Sequence, residues 1–265
     1  MTSYSKMDQL LRTTHLVSIV IPTKGRYELL EELLISIADK TKRKDRIEVI
    51  LVADNNDPET ALVLPLLNSL PYYSWLCFRN TPKTFSLPFW YYNPALRLSN
   101  ESLFKWILGN DCKLITQDWD EKLEHIYLNQ VKNVNKYHYI RISDDTHWKD
   151  GVQTQHAESI NNESCCFPIL SSNYFADTGE FYPSEVPTWG GDILLWEIVQ
   201  ANSDKFNMID LSNEIKILHT SQHTGTYEVD EAAINMRKNE HRARNFGENL
   251  EKRLINLKRK DVEEL

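Results

Sequence analysis

The segment 104–122 (FKWILGNDCKLITQDWDEK) runs an apolar stretch, Trp106, Ile107 and Leu108, straight into Gly109, Asn110, Asp111 and Cys112. A short buried strand that stops on a carboxylate aims that carboxylate into a cleft, because the strand fixes the backbone and the turn exposes the side chain. An Asp so placed suits a hard divalent cation, and the cation suits a diphosphate. Asn and Asp are also ordinary turn formers after a strand, so the chemistry depends on what the other strand ends bring. Pro22, Thr23, Lys24 and Arg26 follow the apolar run 16–21 (LVSIVI), Asp54 and Asn55 follow 47–53 (IEVILVA), and His219 follows 215–218 (IKIL). In an open α/β sheet, ligands bind at the carboxyl ends of the strands. Carboxylates, a guanidinium and an imidazole gathered there suit a nucleotide and a metal ion.

Placing them takes a particular order of elements. The two β-branched runs read as strands buried on both faces. Between them the spacing predicts a helix over 27–40, with Leu29, Leu30, Leu33, Leu34 and Ile37 on one stripe and Glu28, Glu31 and Glu32 opposite. The turn 54–58 (DNNDP) closes the second strand, and a helix follows to about residue 70. Strand, helix, strand, helix at this spacing implies a parallel sheet with right-handed crossovers. Further strands are expected over 75–79, 104–108, 137–142, 165–170 and 215–218, and further helices over 94–102 and 118–129. The stretch 81–93 reads as irregular and aromatic, and 144–164 as a long polar loop. The group 189–192 (WGGD) opens a helix whose apolar set is Ile193, Leu194, Trp196, Ile198 and Val199, and from 229 the chain reads as helical.

Composition narrows the function classes. A net charge of −8 does not indicate a protein that binds polyanions over its whole surface. With eight glycines the chain holds no G-x-G-x-x-G and no G-x-x-x-x-G-K-[ST], which excludes the common dinucleotide and P-loop sites. Cys77, Cys112, Cys165 and Cys166 have no C-x-x-C spacing, so a disulfide framework is not indicated and a reduced, cytoplasmic setting fits. The polar first fifteen residues do not read as a signal peptide, and no apolar run is long enough to span a bilayer. Cys165, Cys166, His219 and His223 offer an alternative zinc set, strained because its cysteines are adjacent. Asp144 and Asp145 read as the solvated end of a strand. Trp90, Tyr91 and Tyr92 suit either a sugar-stacking face or the core.

The motifs 17–26 (VSIVIPTKGR), 49–56 (VILVADNN), 106–111 (WILGND) and 189–192 (WGGD), in this order and spacing, resemble the GT-A glycosyltransferases, in particular the large inverting family 2. The resemblance covers roughly residues 16–225. It implies an α/β, Rossmann-like nucleotide-binding sheet with helices on both faces. An N-terminal extension (1–15), a nucleotide-sugar half (16–125), an acceptor half (126–225) and a C-terminal helical segment (226–265) would make up the chain.

The resemblance assigns the nucleotide, most simply a UDP-sugar, to Pro22, Thr23, Lys24, Arg26, Asp54, Asn55 and Asn110. It assigns Mn2+ or Mg2+ to Asp111, with His219 or His223 as a late ligand. The general base would be Asp192, and the acceptor side would take Glu180, Trp189, Gly190 and Gly191. Asn110 stands where an acid is common, Cys112 where an acid often follows, and Gly191 where Glu is common. The implied activity is metal-dependent, inverting transfer of a sugar to an acceptor hydroxyl on a saccharide, a lipid-linked glycan or a modified nucleic-acid base. A nucleotidyltransferase on a similar sheet and an inactive ligand-binding relative are the rival readings. The basic segment 237–260, nine Lys or Arg against three Glu, would pack on the domain or supply a membrane-surface or DNA contact.

Overall fold

The structure, a computed structural model, describes residues 14–55, 57–79, 87–131, 135–149, 152–155, 165–184 and 191–219. In chain order the elements are β1 (His15–Thr23), α1 (Tyr27–Lys40), β2 (Ile47–Asp54), α2 (Thr60–Ser69), β3 (Tyr73–Arg79) and, after a π-helical turn Pro88–Tyr92, α3 (Asn93–Leu98). There follow β4 (Ser102–Ile107), β5 (Cys112–Leu114), α4 (Trp119–Ile126), β6 (Tyr137–Arg141), β7 (Ser143–Lys149) and β8 (Val152–Gln155). The last are β9 (Ile169–Ser171), α5 (Ser172–Thr178), α6 (Gly191–Ala201), β10 (Phe206–Asp210) and β11 (Lys216–His219).

A seven-stranded sheet runs β10-β6-β9-β4-β1-β2-β3, and a four-stranded sheet runs β5-β11-β7-β8. The β1, β2, β3 and β4 ladders are parallel, as the strand–helix alternation requires. The sheet is not parallel throughout, because β9 enters antiparallel between β4 and β6. Alternation along β1 divides the core. Val17, Ile19 and Ile21 face Leu30, Leu33, Leu34 and Ile37 of α1, whereas Val20 packs with Ala95 and Leu96 of α3 and with Leu195 and Val199 of α6. Helices therefore cover both faces.

One polar row crosses the buried sheet. Ser18 is in register with Glu48 on one side and Lys105 on the other. Glu48, fully buried, accepts from Ser18 Oγ (2.6 Å), Trp75 Nε1 (3.0 Å) and Asn100 Nδ2 (2.9 Å). Lys105 Nζ donates to Ser99 Oγ at 2.6 Å and to the Asn100 carbonyl at 3.2 Å. These contacts satisfy charges that would otherwise be costly in a core.

Several expectations need correction. The polar segment after 143 is not a loop throughout, since β7 and β8 pair antiparallel with Thr146 opposite Gln155. A ladder needs only backbone groups, and a sequence without apolar alternation hides it. Asp144 is buried rather than solvated. The strand β10 was not expected, having only Phe206 and Ile209 facing inward. The stretch expected to be irregular contains the turn Pro88–Tyr92. Among the described residues no helix is long and apolar enough to cross a membrane. Residues 226–265, with the basic segment, and nearly all of the N-terminal extension lie outside the described residues.

Candidate active site

The turn between β1 and α1 is unusually wound. Gly25 (φ 61°) and Arg26 (φ 60°) are consecutive left-handed residues, which for a non-glycine costs on the order of 1 kcal/mol or more. Two carboxylates from the next loop hold it: Gly25 N–H donates to Asp57 Oδ2 and Tyr27 N–H to Glu59 Oε2, each at 2.8 Å. The second of these caps the start of α1. So held, Arg26 places its Nη1 3.2 Å from Asp111 Oδ2.

Asp111 lies at the seam of the two sheets. The chain leaves β4 with Leu108 N–H still bonded to the Val20 carbonyl (3.0 Å), turns through Gly109 and Asn110, and enters the smaller sheet at Cys112, whose N–H returns to the Gly109 carbonyl at 3.2 Å. The carboxylate is nearly buried, with 7 % of its side chain exposed. Its second oxygen, Oδ1, stands 3.4 Å from His219 Nε2 at the end of β11. Phe167 and the His219 ring pack edge to face, with centroids 5.2 Å apart. Phe167 in turn is fixed through its carbonyl by Trp106 Nε1 at 2.9 Å.

A divalent cation fits this arrangement. A carboxylate oxygen and an imidazole nitrogen bound to one ion at ~2.1 Å stand about 3.4 Å apart in tetrahedral and about 3.0 Å apart in octahedral geometry, and Asp111 Oδ1 and His219 Nε2 stand 3.4 Å apart. A Cβ added at Gly109 would collide with Asp111 Oδ1, so only glycine leaves that oxygen its place.

Around this pair opens a cleft of ≈ 260 Å³. Of the residues expected from the sequence it brings together Pro22, Arg26, Asn110, Asp111, Gly191, Asp192 and His219. Asp192 sits in the first turn of α6. Gly191 allows the Tyr182 ring to lie against the helix start, 3.2 Å from where a Cβ would be. Burial, and then the charge of Asp192, push the Tyr182 phenol well above its ordinary value, which keeps it a hydrogen-bond donor, here to the Cys166 carbonyl at 3.0 Å.

Other expected residues stand back from the cleft. Thr23 Oγ1 accepts from Asn110 Nδ2 at 3.4 Å. Asp54, buried at the end of β2, pairs with Lys24 Nζ at 3.1 Å and accepts from the Tyr91 hydroxyl. Asn55 is exposed in the following turn. Glu180 does not line the cleft and accepts from Ser184 Oγ at 2.5 Å. Trp189, Gly190 and His223 lie outside the described residues.

Sequence reasoning left Tyr92 between a sugar-stacking face and the core, and it missed Leu87, Pro88, Cys166 and Phe167, which with Tyr92 and Tyr182 form a wall of the cleft. The aromatic run between Pro88 and Pro94 was its one visible signal, and π-helical turns of this kind recur at functional sites. It also missed Asp144, which accepts from Cys166 N–H (2.6 Å), Phe167 N–H (3.2 Å) and Cys165 Sγ (3.4 Å) and so shapes this same wall.

No protein-family model matches the chain, and no curated protein matches its sequence. Solved structures do match. TarS residues 1–349 from S. aureus superposes with a TM-score of 0.58 at 16 % identity, over 78 % of this chain and 60 % of that one, and TarS has also been solved with UDP. The mannosyltransferase PcManGT from Pyrobaculum calidifontis, solved with GDP-Man and Mn2+, matches with a TM-score of 0.55 at 14 % identity, over 77 % of this chain and 56 % of its own. GalNAc-T7, solved with UDP, GalNAc and Mn2+, gives 0.52 at 12 % identity, over 83 % and 46 %. This chain thus spans about half to three fifths of the length of these proteins. The two-sheet architecture, the seam that carries Asp111 and these superpositions together identify the fold as GT-A, the fold of nucleotide-sugar glycosyltransferases.

Proposed function

We propose that this chain is a glycosyltransferase that moves a sugar from a nucleotide diphosphate donor, a UDP-sugar, to an acceptor hydroxyl with inversion at the anomeric carbon. The observation that carries this reading is the meeting of Asp111, His219, Arg26 and Asp192 around one cleft at the carboxyl ends of the strands. The solved neighbours that hold UDP or GDP-Man, two of them with Mn2+, support it.

Asp111 and His219 would hold Mn2+ or Mg2+, which when bound offsets the negative charge on the leaving diphosphate. Arg26 and Lys24 add fixed positive charge at the same end. Pro22 and Asn110, which line the cleft, would form the shelf for the nucleotide, and Thr23, Asp54 and Asn55 would support it from the adjoining strand ends. Asp192 takes the proton from the acceptor hydroxyl as that oxygen attacks the anomeric carbon and the sugar–phosphate bond breaks. The acceptor would enter over Gly191 and Tyr182, with Glu180, Trp189 and Gly190 assigned to its recognition, and would be a saccharide, a lipid-linked glycan or a nucleic-acid base. Steep salt dependence of binding to duplex DNA, absent with vesicles, would select the last of these.

The first test is thermal melting against a panel of nucleotides and sugar nucleotides with and without Mn2+. A Mn2+-dependent rise with UDP, lost in Asp111→Ala, is expected. A rise with another nucleotide would keep the site and change the donor, and no rise with any would overturn the assignment. Asp192→Asn should retain the UDP response while turnover falls by ~10²–10⁴-fold. Undiminished turnover would remove Asp192 as the base. Release of pyrophosphate from a nucleoside triphosphate would instead favour a nucleotidyltransferase.

A further inference from the structure

We infer that Cys112 supplies a third ligand, a thiolate sulfur, to the cation held by Asp111 and His219, and that the site is thereby turned away from Mg2+ and toward thiophilic divalent ions. This deepens the metal-dependent reading of the same cleft and rests on it.

The register places the sulfur there. In the antiparallel ladder of β5 and β11, His219 lies directly opposite Cys112. Residues directly opposite one another in such a ladder point to the same face, with their Cβ atoms ~5 Å apart. The position of Cys112 relative to His219 is therefore a property of two paired backbones, not of a mobile side chain. Asp111 precedes Cys112 at the point where the turn passes into the strand. Ligand atoms of Asp111, Cys112 and His219 all lie within 4.8 Å of one another. Gly109 completes the opening, since a Cβ there would stand 3.6 Å from Cys112 Sγ as well as striking Asp111 Oδ1.

The residue is only 1 % exposed and packs with the apolar core, which is the ordinary fate of a free cysteine. Apolar packing does not call for a carboxylate oxygen and an imidazole nitrogen beside the sulfur, and ligation does. The other buried thiol, Cys165, is engaged elsewhere, with the Ile142 carbonyl at 3.5 Å and Asp144 Oδ2 at 3.4 Å. On binding, the metal–sulfur bond forms as the Cys112 proton leaves to solvent. A set of one carboxylate, one imidazole and one thiolate disfavours Mg2+, which prefers an all-oxygen shell, and suits Zn2+, Co2+ or Cd2+.

The test is titration of the full chain with Co2+, with and without UDP, followed by absorption spectroscopy. Visible ligand-field bands together with a near-ultraviolet sulfur-to-cobalt charge-transfer band are expected. Cys112→Ser should lose the charge-transfer band, keep the ligand-field bands, and lower the affinity for Cd2+ relative to Mg2+ by ~10-fold or more. Cys166→Ala should keep both features. Ligand-field bands without charge transfer in the unaltered protein would overturn the thiolate while leaving the metal site in place, and this arm needs no variant that might misfold. A charge-transfer band that survives Cys112→Ser would overturn it equally. No cobalt spectrum under either condition would overturn the metal reading itself, and the thiolate with it.

Discussion

Asp111 has both of its oxygens engaged, one by Arg26 and one by His219, and each contact depends on a residue that does no chemistry. For Oδ1 that residue is Gly109. Its φ is not in the left-handed region, so alanine is admissible to the backbone there, and the obstacle is the collision of its Cβ with the carboxylate. Gly109→Ala should therefore cost about 1–3 kcal/mol of stability through crowding and abolish the Mn2+-dependent UDP response. An intact response, measured by melting, would show that the carboxylate position is not what the cation needs. Asp111 and His219 were legible as residues because polar types that follow apolar runs stand at strand ends. The need for glycine at 109 was not, since it arises from a distance between a backbone and a side chain that meet only in the folded turn.

At the scale of elements, the helices and strands with strong apolar periodicity were legible: α1 occupies the predicted 27–40, and β1 and β2 are buried along nearly their whole length. What escaped were elements specified by pairing rather than by composition. The strands β7 and β8, with the sequences SDDTHWK and VQTQ, carry no apolar alternation, and β10 shows only two buried positions. Asp144 belongs to this class, a polar residue at the start of β7 whose value lies in the backbone donors it collects. Asp144→Ala would strip acceptors from two backbone N–H groups and should cost on the order of 2–4 kcal/mol. Asp144→Asn, which keeps an acceptor oxygen, should cost less. Equal losses in urea unfolding would show that Asp144 acts through its charge instead. Because Phe167 packs on His219, the Ala variant should also blunt the metal response.

Across the whole molecule, the row Ser18, Glu48 and Lys105 ties β1, β2 and β4 together inside an otherwise apolar sheet. Burial, against the opposing pull of Glu48 and Glu101, holds the Lys105 ammonium down at about 8, from an ordinary 10.5. Its folded value is the lower one, so between those limits the unfolded chain binds more protons. The penalty that Lys105 imposes at neutral pH is accordingly relieved as pH rises through 8 toward 10.5, by up to about 3 kcal/mol. Other groups oppose this. The Cys112 and Cys165 thiols are pushed up by burial, so their unfolded forms ionise first and stability is lost as pH passes their ordinary 9.0. The stability of the unaltered chain minus that of Lys105→Met isolates the lysine and should grow over this range. Parallel pH curves for the two would refute the shift.

The assignment of the cleft residues to two sheets has a consequence for how the molecule is made. Asp111 stands where the chain first leaves the large sheet, and its partner arrives only with β11, the last of the described strands. During synthesis, β1 to β4 and the loops that follow them have emerged well before His219. A nascent or prematurely terminated chain that stops short of β11 therefore carries Asp111 without His219, and the pair forms only with the docking of that final strand.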